Sequence, residues 1–178
     1  MSGHNKWSQI KHKKGITDAK KSKIFSKLVR FISVEAKLSG GLESPGLKAA
    51  IEKAKKVNMP KDIIEKAIKK ASEPGANMEA IIYEAYGPGG VGIIIETLTD
   101  SRNRTAQDIK HILVKNGFAL AGIGSVSWSF AKEITPEGLT WKPTMFIGAS
   151  DEELEALEKL VDELENLDDV QEIYTNAE

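Results

Sequence analysis

The sequence contains no cysteine and only three histidines among its 178 residues. A disulfide framework and a thiolate metal site are therefore excluded. The three histidines form no HExxH-type pair, so the signature of a catalytic zinc site is also missing. We expect neither a metal ion nor any other cofactor.

Long apolar runs are absent as well. The longest, Val91–Ile95, is far too short to cross a bilayer, and the charged N-terminal segment does not resemble a secretory signal. Arg30 is the only arginine among the first 70 residues, which argues against an arginine-rich mitochondrial presequence. We expect a soluble, cytoplasmic protein without a membrane partner.

What the sequence does have is a strong separation of charge. Residues 1–70 hold 18 Lys and Arg against 6 Asp and Glu, a net charge of +12, whereas residues 71–178 hold 7 against 20, a net of −13. A dense basic segment repels itself, and a polyanionic partner offsets that repulsion. Nucleic acid is the favoured partner, with strongly salt-dependent binding. The alternatives are a membrane surface, an acidic protein, and a merely solvated helical face.

Three amphipathic helices are predicted in residues 1–70, here called the basic half, as distinct from the acidic half, residues 71–178. Apolar spacing indicates one helix from Asp18 to about Leu38 and a second from Leu47, which Asn58-Met59-Pro60 interrupts. Pro60 suits the first turn of the third helix. Residues 1–15 are basic and irregular, and we expect them to form an arm. We predict a first domain over residues 1–73, made of this arm and a three-helix bundle.

After Glu73-Pro74-Gly75 the periodicity becomes mainly that of extended chain. The predicted elements are strands Ile81–Tyr86 and Val91–Leu98 joined by a hairpin turn at 87–90, a helix ending at Asn116-Gly117, strands Ser125–Phe130 and Leu139–Ile147, a helix with a Ser150/Glu153 capping box, and strand Val170–Tyr174. In Ser125–Phe130, alternation places Trp128 on the same face as Val126 and Phe130. The order ββαββαβ predicts an α+β sandwich over residues 74–178, ferredoxin-like in style, with a mixed, mainly antiparallel sheet and its helices on one side.

Signatures of catalysis are missing. The glycine-rich turn at 87–90 has neither the Gly-Lys-Ser/Thr ending of a P-loop nor a GxGxxG pattern, so the hairpin interpretation is favoured. No nucleophile elbow accompanies the serines, and no set of nucleophile, base and stabiliser is evident. We expect no catalytic residue and no small-molecule substrate.

The arm is the first candidate for nucleic-acid contact. It mixes cations, amides and one aromatic ring in the order Gly3-His4-Asn5-Lys6-Trp7-Ser8-Gln9-Ile10-Lys11-His12-Lys13-Lys14. Lysines suit phosphates, a tryptophan suits stacking on an unpaired base, and amides suit base edges. For His4 and His12, contact with a phosphate or base is favoured over zinc binding. The alternative for Trp7 is that it anchors the arm to the bundle.

A second candidate breaks the acidity of the C-terminal half. Arg102, Asn103 and Arg104 stand at a strand-to-helix junction, where helix-start amides and guanidinium groups suit a phosphate. The alternative is that Asp100 or Ser101 caps the helix and the arginines pair with acids such as Glu84 or Glu96. Both interpretations stay open at this point.

Ordered motifs across nearly the whole chain resemble the YebC family, the YebC/PmpR-type regulators whose mitochondrial relative is the translational activator of cytochrome c oxidase. The matching motifs are Gly3-His4-Asn5-Lys6-Trp7 with Ile10-Lys11-His12, Asp18-Ala19-Lys20 with Lys23 and Phe25, Ala50-Ile51-x-Lys53-Ala54-Lys55, Asn58-Met59-Pro60-Lys61, Glu65-x-Ala67-Ile68, Tyr83-Glu84-x-Tyr86-Gly87-Pro88-Gly89-Gly90-Val91, Thr99-Asp100-x-Arg102-Asn103-Arg104-Thr105, Lys115-Asn116-Gly117, Gly124-Ser125-Val126-x-Trp128-x-Phe130, and Leu167-Asp168-Asp169-Val170-Gln171-x-x-Tyr174-x-Asn176.

The resemblance implies a cytoplasmic, non-enzymatic regulator of gene expression. Members are described as DNA-binding transcriptional regulators, and also as ribosome-associated factors that assist synthesis through consecutive prolines. We favour RNA on the ribosome, with duplex DNA at promoters and nonspecific polyanion binding as alternatives. The implied contacts are to ribosomal RNA through Lys11, Lys13, Lys14, Lys20, Lys21 and Lys23, to functional RNA through His4, Lys6 and Trp7, and to the same RNA through Arg102 and Arg104.

The chain departs from the family pattern at one place. Members usually carry a third α/β domain between the strand ending near Phe130 and the C-terminal helix, whereas here a short connection runs from Ala131 to Leu139. We expect a shortened, two-domain form, to which no function of the third domain carries over.

Overall fold

The structure, a computed structural model, describes residues 18–71, 78–135 and 138–178, with side chains from residues 21, 78 and 140 onward in these ranges. The predicted arm lies outside the described residues. The helices are α1 (Asp18–Leu38), α2 (Pro45–Lys56), α3 (Lys61–Ala71), α4 (Arg102–Lys115) and α5 (Asp151–Glu165), and the strands are β1 (Glu79–Tyr86), β2 (Gly92–Thr99), β3 (Phe130–Thr135), β4 (Gly138–Pro143) and β5 (Val170–Thr175). The predicted α+β class is confirmed.

The first three helices form the predicted bundle. Its core combines Ile32 with small side chains, among them Ala50 and Ala54, which are fully buried. Between α2 and α3, Asn58 adopts the left-handed conformation at φ 57°. The N–H of the next residue, Met59, then donates to the carbonyl of Ala54 at 3.0 Å, which closes α2 in a Schellman motif. The same turn inserts Met59 into the core.

Strands β1, β2 and β5 form one antiparallel sheet with β2 in the centre. On one of its faces, Ile93 and Ile95 pack in a cluster with Ile109 and Leu113 of α4 and with Leu157 of α5. Both helices therefore cover a single face, as predicted. Side chains alternate between the two faces of a strand, so Ile94 points to the opposite side of the sheet.

The opposite face is covered by a separate antiparallel hairpin of β3 and β4. Phe130 and Trp141 of this hairpin join Ile94 and Val126 in a second buried cluster. The strands thus form two antiparallel sheets rather than one. Among the described residues, parallel pairing is limited to an isolated bridge between Ile147 and Ala177.

The strand predicted over Ser125–Phe130 is wrong. The segment forms turns and a short 3-10 helix, Ser127–Ser129, before β3 begins at Phe130. The carboxylate of Glu84 accepts hydrogen bonds from the N–H groups of Val126 and Ser127, at 2.6 and 2.9 Å. Successive N–H groups of a strand point in opposite directions, so two of them cannot meet one carboxylate in extended chain. Trp128, predicted to share a face with Val126 and Phe130, is consequently 64% exposed, whereas those two side chains are buried.

The strand predicted from Leu139 to Ile147 is shorter than expected, since β4 ends at Pro143. Proline has no N–H with which to continue a ladder. The next two N–H groups, those of Thr144 and Met145, both turn to the carbonyl of Ser129, at 2.9 and 3.4 Å. Whether residues 1–73 and 74–178 are separate domains stays a prediction.

Gly92 of β2 lies so close to Val126, in the loop before β3, that a larger side chain at position 92 would test the packing. The N–H of Gly92 donates to Asn176 Oδ1 at 2.7 Å, and a Cβ at position 92 would lie 2.7 Å from Val126 Cγ1. We expect Gly92→Ala to lower the free energy of unfolding by about 1–3 kcal/mol through overpacking, measured by urea denaturation. Gly148→Ala is the control, because nothing lies within 4 Å of its added methyl. Equal stability of the two variants would contradict this packing.

Candidate nucleic-acid interface

Lysines cover the solvent side of the bundle. The exposed ones are Lys21, Lys37, Lys48, Lys55, Lys56, Lys61, Lys66, Lys69 and Lys70. Lys48, Lys55, Lys61 and Lys66 pair with acids of the bundle itself, as in the i,i+4 pair of Lys61 with Glu65 at 3.3 Å. Such exposed pairs contribute at most about 1 kcal/mol. A phosphate can therefore replace the carboxylate at little cost.

Four of these lysines require no exchange of an ion-pair partner within the described part of the chain before they can bind a polyanion. No carboxylate among the described residues lies within ion-pair distance of Lys21, Lys56, Lys69 or Lys70. Two of the four, Lys69 and Lys70, stand in the last turn of α3, where positive charge is also favoured by the helix dipole. The end of α3 is thus a concentrated source of positive potential.

The residues predicted from the sequence fall into three groups. His4 to Lys14 lie outside the described residues, and Lys20 lies in α1 without a described side chain. Lys21 is exposed near the start of α1. Lys23 is half-buried, and its ammonium group donates to the side-chain oxygen of Asn166, just after α5. Lys23 therefore contacts the acidic half of the chain and is only partly open to solvent.

The second predicted site, at the start of α4, is exposed but already paired. Arg102 lies 3.2 Å from Glu79, and Arg104 lies 2.7 Å from Asp100 and 3.0 Å from Asp169. Ser101 occupies the N-cap position without a capping hydrogen bond from its side chain. A phosphate at this place would have to compete with carboxylates for both guanidinium groups.

The acids that pair with these arginines differ from those expected. Glu84 instead accepts hydrogen bonds from backbone N–H groups, and Glu96 accepts one from the indole of Trp141 at 2.8 Å. Burial raises the pKa of Glu84, but the N–H donors of Gly124, Val126 and Ser127 outweigh it and hold the pKa below its ordinary value. Burial raises the pKa of Glu96.

Asp169 connects the two halves of the protein. Its buried carboxylate lies 2.6 Å from the hydroxyl of Thr105 and 3.3 Å from that of Thr99. Arg104 and Arg30 both pair with it, and Arg30 also donates to the carbonyl of Leu98 at 3.2 Å. One side chain thereby ties α1 of the bundle to the end of β2, the start of α4 and the start of β5.

Arg30 is a site residue that the sequence reasoning missed. It is the only arginine in a half that otherwise uses lysine, and a planar guanidinium suits a shared, partly buried ion pair better than an ammonium does. The contrast between this single arginine and the surrounding lysines was the signal in the sequence that could have identified Arg30. Its partner could not be found in the same way, because Asp169 lies 139 residues further along the chain.

A pocket of about 420 Å³ opens beside this ion pair. Its charged lining consists of two arginines, Arg30 and Arg104, and four acids, Asp100, Asp108, Asp168 and Asp169. The excess of carboxylates disfavours a phosphate in the pocket. The lysines of the bundle remain the better described surface for a polyanion.

Two further sequence expectations concern metals and membranes. In the parts of the chain that the structure describes, no group of three or more His, Cys, Asp or Glu side chains could hold a metal ion. Within the same parts, no helix is long and apolar enough to cross a membrane. His111 is exposed on α4.

An α+β protein with an exposed basic bundle has a close counterpart among solved structures. A conserved hypothetical protein from Aquifex aeolicus superimposes with a TM-score of 0.86 at 34% sequence identity, covering 97% of this chain and 96% of that one. The family model of the TACO1/YebC protein N-terminal domain matches residues 5–74, and the model of the TACO1/YebC second and third domain matches residues 78–137 and 131–177. The chain belongs to the TACO1/YebC family, which confirms the resemblance.

Three bacterial relatives show how the lengths compare, and each bears the name "probable transcriptional regulatory protein". The Fervidobacterium nodosum protein is 40% identical over 235 positions, covering 99% of this chain and 93% of its own. The Petrotoga mobilis protein is 47% identical, covering 100% of this chain and 71% of its own, and the Thermosipho africanus protein is 53% identical, covering 75% and 54%. The matched region thus spans little more than half the length of some relatives. The first alignment runs over 57 positions more than this chain has residues.

Removing the charge of Asp169 tests the connection between the two halves. We expect Asp169→Asn to lower the free energy of unfolding at pH 7 by about 2–4 kcal/mol, because Arg30 and Arg104 lose the charge they share. Asp168→Asn is the matched control, since Asp168 is the exposed neighbour. Equal losses in the two variants would contradict the assigned role.

The same pair of variants has a predicted pH dependence. Burial raises the pKa of Asp169, but hydrogen bonds from Thr105, Arg30 and Arg104 outweigh it and leave the pKa below its ordinary value. A lowered native pKa contributes stability that is present above the unfolded-state pKa of about 4 and is lost as the pH falls through the native pKa. Urea denaturation from pH 7 to pH 2 should show a steeper acid loss in the wild type than in Asp169→Asn. Parallel curves would contradict the lowered pKa.

Proposed function

We propose that this protein is a nucleic-acid-binding regulator of gene expression that works without catalysis. The observation that carries the proposal is the exposed lysine surface of α1, α2 and α3, within a half of net charge +12. Neutralising phosphates with lysines releases counterions and gives strong, salt-dependent affinity. The names of the relatives are consistent with a regulatory role of this kind.

We further propose RNA as the target, on the ribosome, where the protein would assist synthesis through consecutive prolines. The exposed side chains of α2 and α3 are Lys, Glu, Asp and one Pro. Reading a DNA major groove uses Arg or Lys at guanine and Asn or Gln at adenine, and neither α2 nor α3 exposes Arg, Asn or Gln. Lysines spread over three helices suit recognition of a phosphate backbone by its shape, as in folded RNA.

The predicted contact residues belong to this proposal. The arm residues His4, Asn5, Lys6, Trp7, Gln9, Lys11, His12, Lys13 and Lys14 would act with the start of α1, and Arg102, Asn103 and Arg104 would form a secondary contact. The pairing of Arg102 with an exposed acid, Glu79, leaves it exchangeable for a phosphate. Arg104 is held more firmly, because it also supports the buried Asp169.

A second candidate function is promoter binding by a transcriptional regulator. It is favoured by the shared name of the relatives, "probable transcriptional regulatory protein". This candidate requires one duplex sequence to bind about a thousandfold or more tighter than random DNA. The RNA proposal requires no such preference.

We also infer that the β3–β4 hairpin stands where longer members carry a third domain. The two segments matched by the second- and third-domain model meet at residues 131–137, within this hairpin. The extra aligned positions of the Fervidobacterium relative are consistent with an inserted segment. Activities of such a segment are not assigned to this chain.

Co-sedimentation with ribosomes tests the proposed function. We expect Lys69→Ala/Lys70→Ala to weaken ribosome binding about tenfold at physiological salt and to flatten its salt dependence, because two phosphate contacts are lost. The matched control is Lys110→Ala/Lys159→Ala, which removes two exposed lysines from the acidic half. Equal weakening by both variants would contradict a defined basic surface.

Competition separates the two candidate functions. In the presence of excess random duplex DNA, the wild type should stay on ribosomes if RNA is its target. If random DNA strips the wild type as readily as the lysine variant, the ribosome proposal fails. Selection of a tight-binding duplex sequence would then support the promoter candidate.

A further inference from the structure

A group of exposed aromatic and aliphatic side chains belongs to the acidic half of the chain. Tyr86 and Trp128 are 44% and 64% exposed, and they are accompanied by Ile123, Met145 and Phe146, at 100%, 49% and 50%. We call these five residues the aromatic platform. Tyr86 and Trp128 meet at the carbonyl of Ser125, and the N–H of Met145 lies 3.4 Å from the carbonyl of Ser129, the residue after Trp128. Exposed apolar side chains brought together in this way mark interaction sites.

The two polar ring edges of the platform are turned toward the protein. The indole N–H of Trp128 donates to the carbonyl of Ser125 at 2.7 Å, and the hydroxyl of Tyr86 donates to the same oxygen at 2.5 Å. Both rings are therefore held by the same carbonyl oxygen, and the hydrogen-bond donor of each ring is already in use. What remains for a partner is chiefly the ring surface.

The backbone beneath the rings is fixed before any partner arrives. Glu84 holds the loop through the N–H groups of Gly124, Val126 and Ser127, at 2.8, 2.6 and 2.9 Å. Between these anchors, Val126 is buried against the sheet. A surface that is ordered in advance loses little conformational entropy on binding.

The platform is neutral although its half of the chain is acidic. The segments that build it, residues 85–95, 117–131 and 143–150, contain no charged residue. The hairpin that follows Trp128 exposes Lys132 and Lys142, and Lys142 lies 3.4 Å from the exposed carboxylate of Glu133. The two strands of the hairpin thus carry two lysines against one acid, so a polyanion at the platform does not meet the dense negative charge of the rest of this half.

The hairpin also connects the platform to the bundle. Lys132 lies over the ring of Trp141, with its Nζ 4.6 Å from the ring centre, and the indole of Trp141 donates to Glu96. Lys53 of α2 is close enough to Glu96 to lower its pKa, although burial raises that pKa overall. Glu96 is thus contacted by Trp141 of the hairpin and lies within electrostatic reach of Lys53 of α2.

We propose that the aromatic platform stacks an unpaired base of the nucleic acid that the bundle binds, with Trp128 as the principal contact. The inference rests on the proposed function. Every base has a π face, so stacking on a ring requires no donor from that ring. A protein partner would instead gain from the N–H and O–H groups of exposed Trp and Tyr, and here both are already used by Ser125.

Fluorescence of Trp128 tests the proposal directly. A Trp7→Phe protein and a Trp7→Phe/Trp128→Phe protein differ only in the emission of Trp128, so buried Trp141 need not be changed. A single-stranded RNA of about a dozen nucleotides should quench this difference signal, and the blunt duplex of the same sequence should not. An equal response to both RNAs, or no response to bound single strand, overturns the stacking proposal.

Affinity provides the second readout. Trp128→Ala should weaken binding of the single strand about tenfold, which corresponds to the loss of one stacked base, and should leave duplex binding unchanged. Val114→Ala is the matched control, because Val114 is an exposed apolar residue on α4, on the other side of the sheet. Equal effects of the two substitutions overturn the proposal.

The outcomes also separate this proposal from the function on which it rests. If the Lys69/Lys70 variant loses RNA while Trp128→Ala binds normally, stacking fails and the proposed function stands. If the wild type binds no RNA even at low salt, both fail. A Trp128 signal that depends on protein concentration without RNA, with dimerisation in sedimentation equilibrium, assigns the platform to a second copy of the chain and overturns stacking.

Discussion

The buried charge of Asp169 is the constraint on which the arrangement of the two halves depends. A carboxylate taken out of water requires donors, and removing them leaves a costly unpaired charge. The donors here come from distant parts of the chain, Arg30 in α1 and Thr99, Arg104 and Thr105 around the start of α4. Satisfying one side chain therefore fixes the end of β2, the start of α4, the start of β5 and the position of the bundle together.

This local connection lets the chain keep its opposite charges apart. If halves of net charge +12 and −13 neutralised each other over a broad interface, the lysines would no longer be available. Exposed ion pairs within the bundle join Lys55 to Glu52 and Lys66 to Asp62. The ion pair between the halves uses Arg30, whose guanidinium suits a shared carboxylate. Lys23 adds a hydrogen bond to Asn166, while the exposed lysines of the bundle remain on the surface.

The parts of the fold that were predictable from the sequence are those fixed by near neighbours. The end of α4 at Asn116-Gly117 and the capping box of Ser150 with Glu153 involve residues within five positions of one another. Trp128 was misplaced because alternation alone cannot reveal that Glu84, about 40 residues earlier, takes consecutive N–H groups from the same loop. The partner of Arg104 was missed for the same reason, since Asp169 lies 65 residues away. The predicted arm contacts lie outside the described residues and stay predictions.

The β3–β4 hairpin shows how members of different length can share one sheet. The face of β2 that carries Ile94 has to be covered, and Phe130 and Trp141 cover it from the two strands of the hairpin. In the register of the hairpin, Phe130 pairs with Pro143 and Trp141 with Lys132, whereas the pair next to the connection between the strands is Thr135 with Gly138. A segment inserted at that place leaves the covering contacts intact, and lengthening a loop costs little, about 0.6 kcal/mol for each doubling. If longer members insert their third domain there, the bundle, the Asp169 connection and the aromatic platform require nothing from it, so the short chain is a sufficient framework for the binding surfaces proposed above.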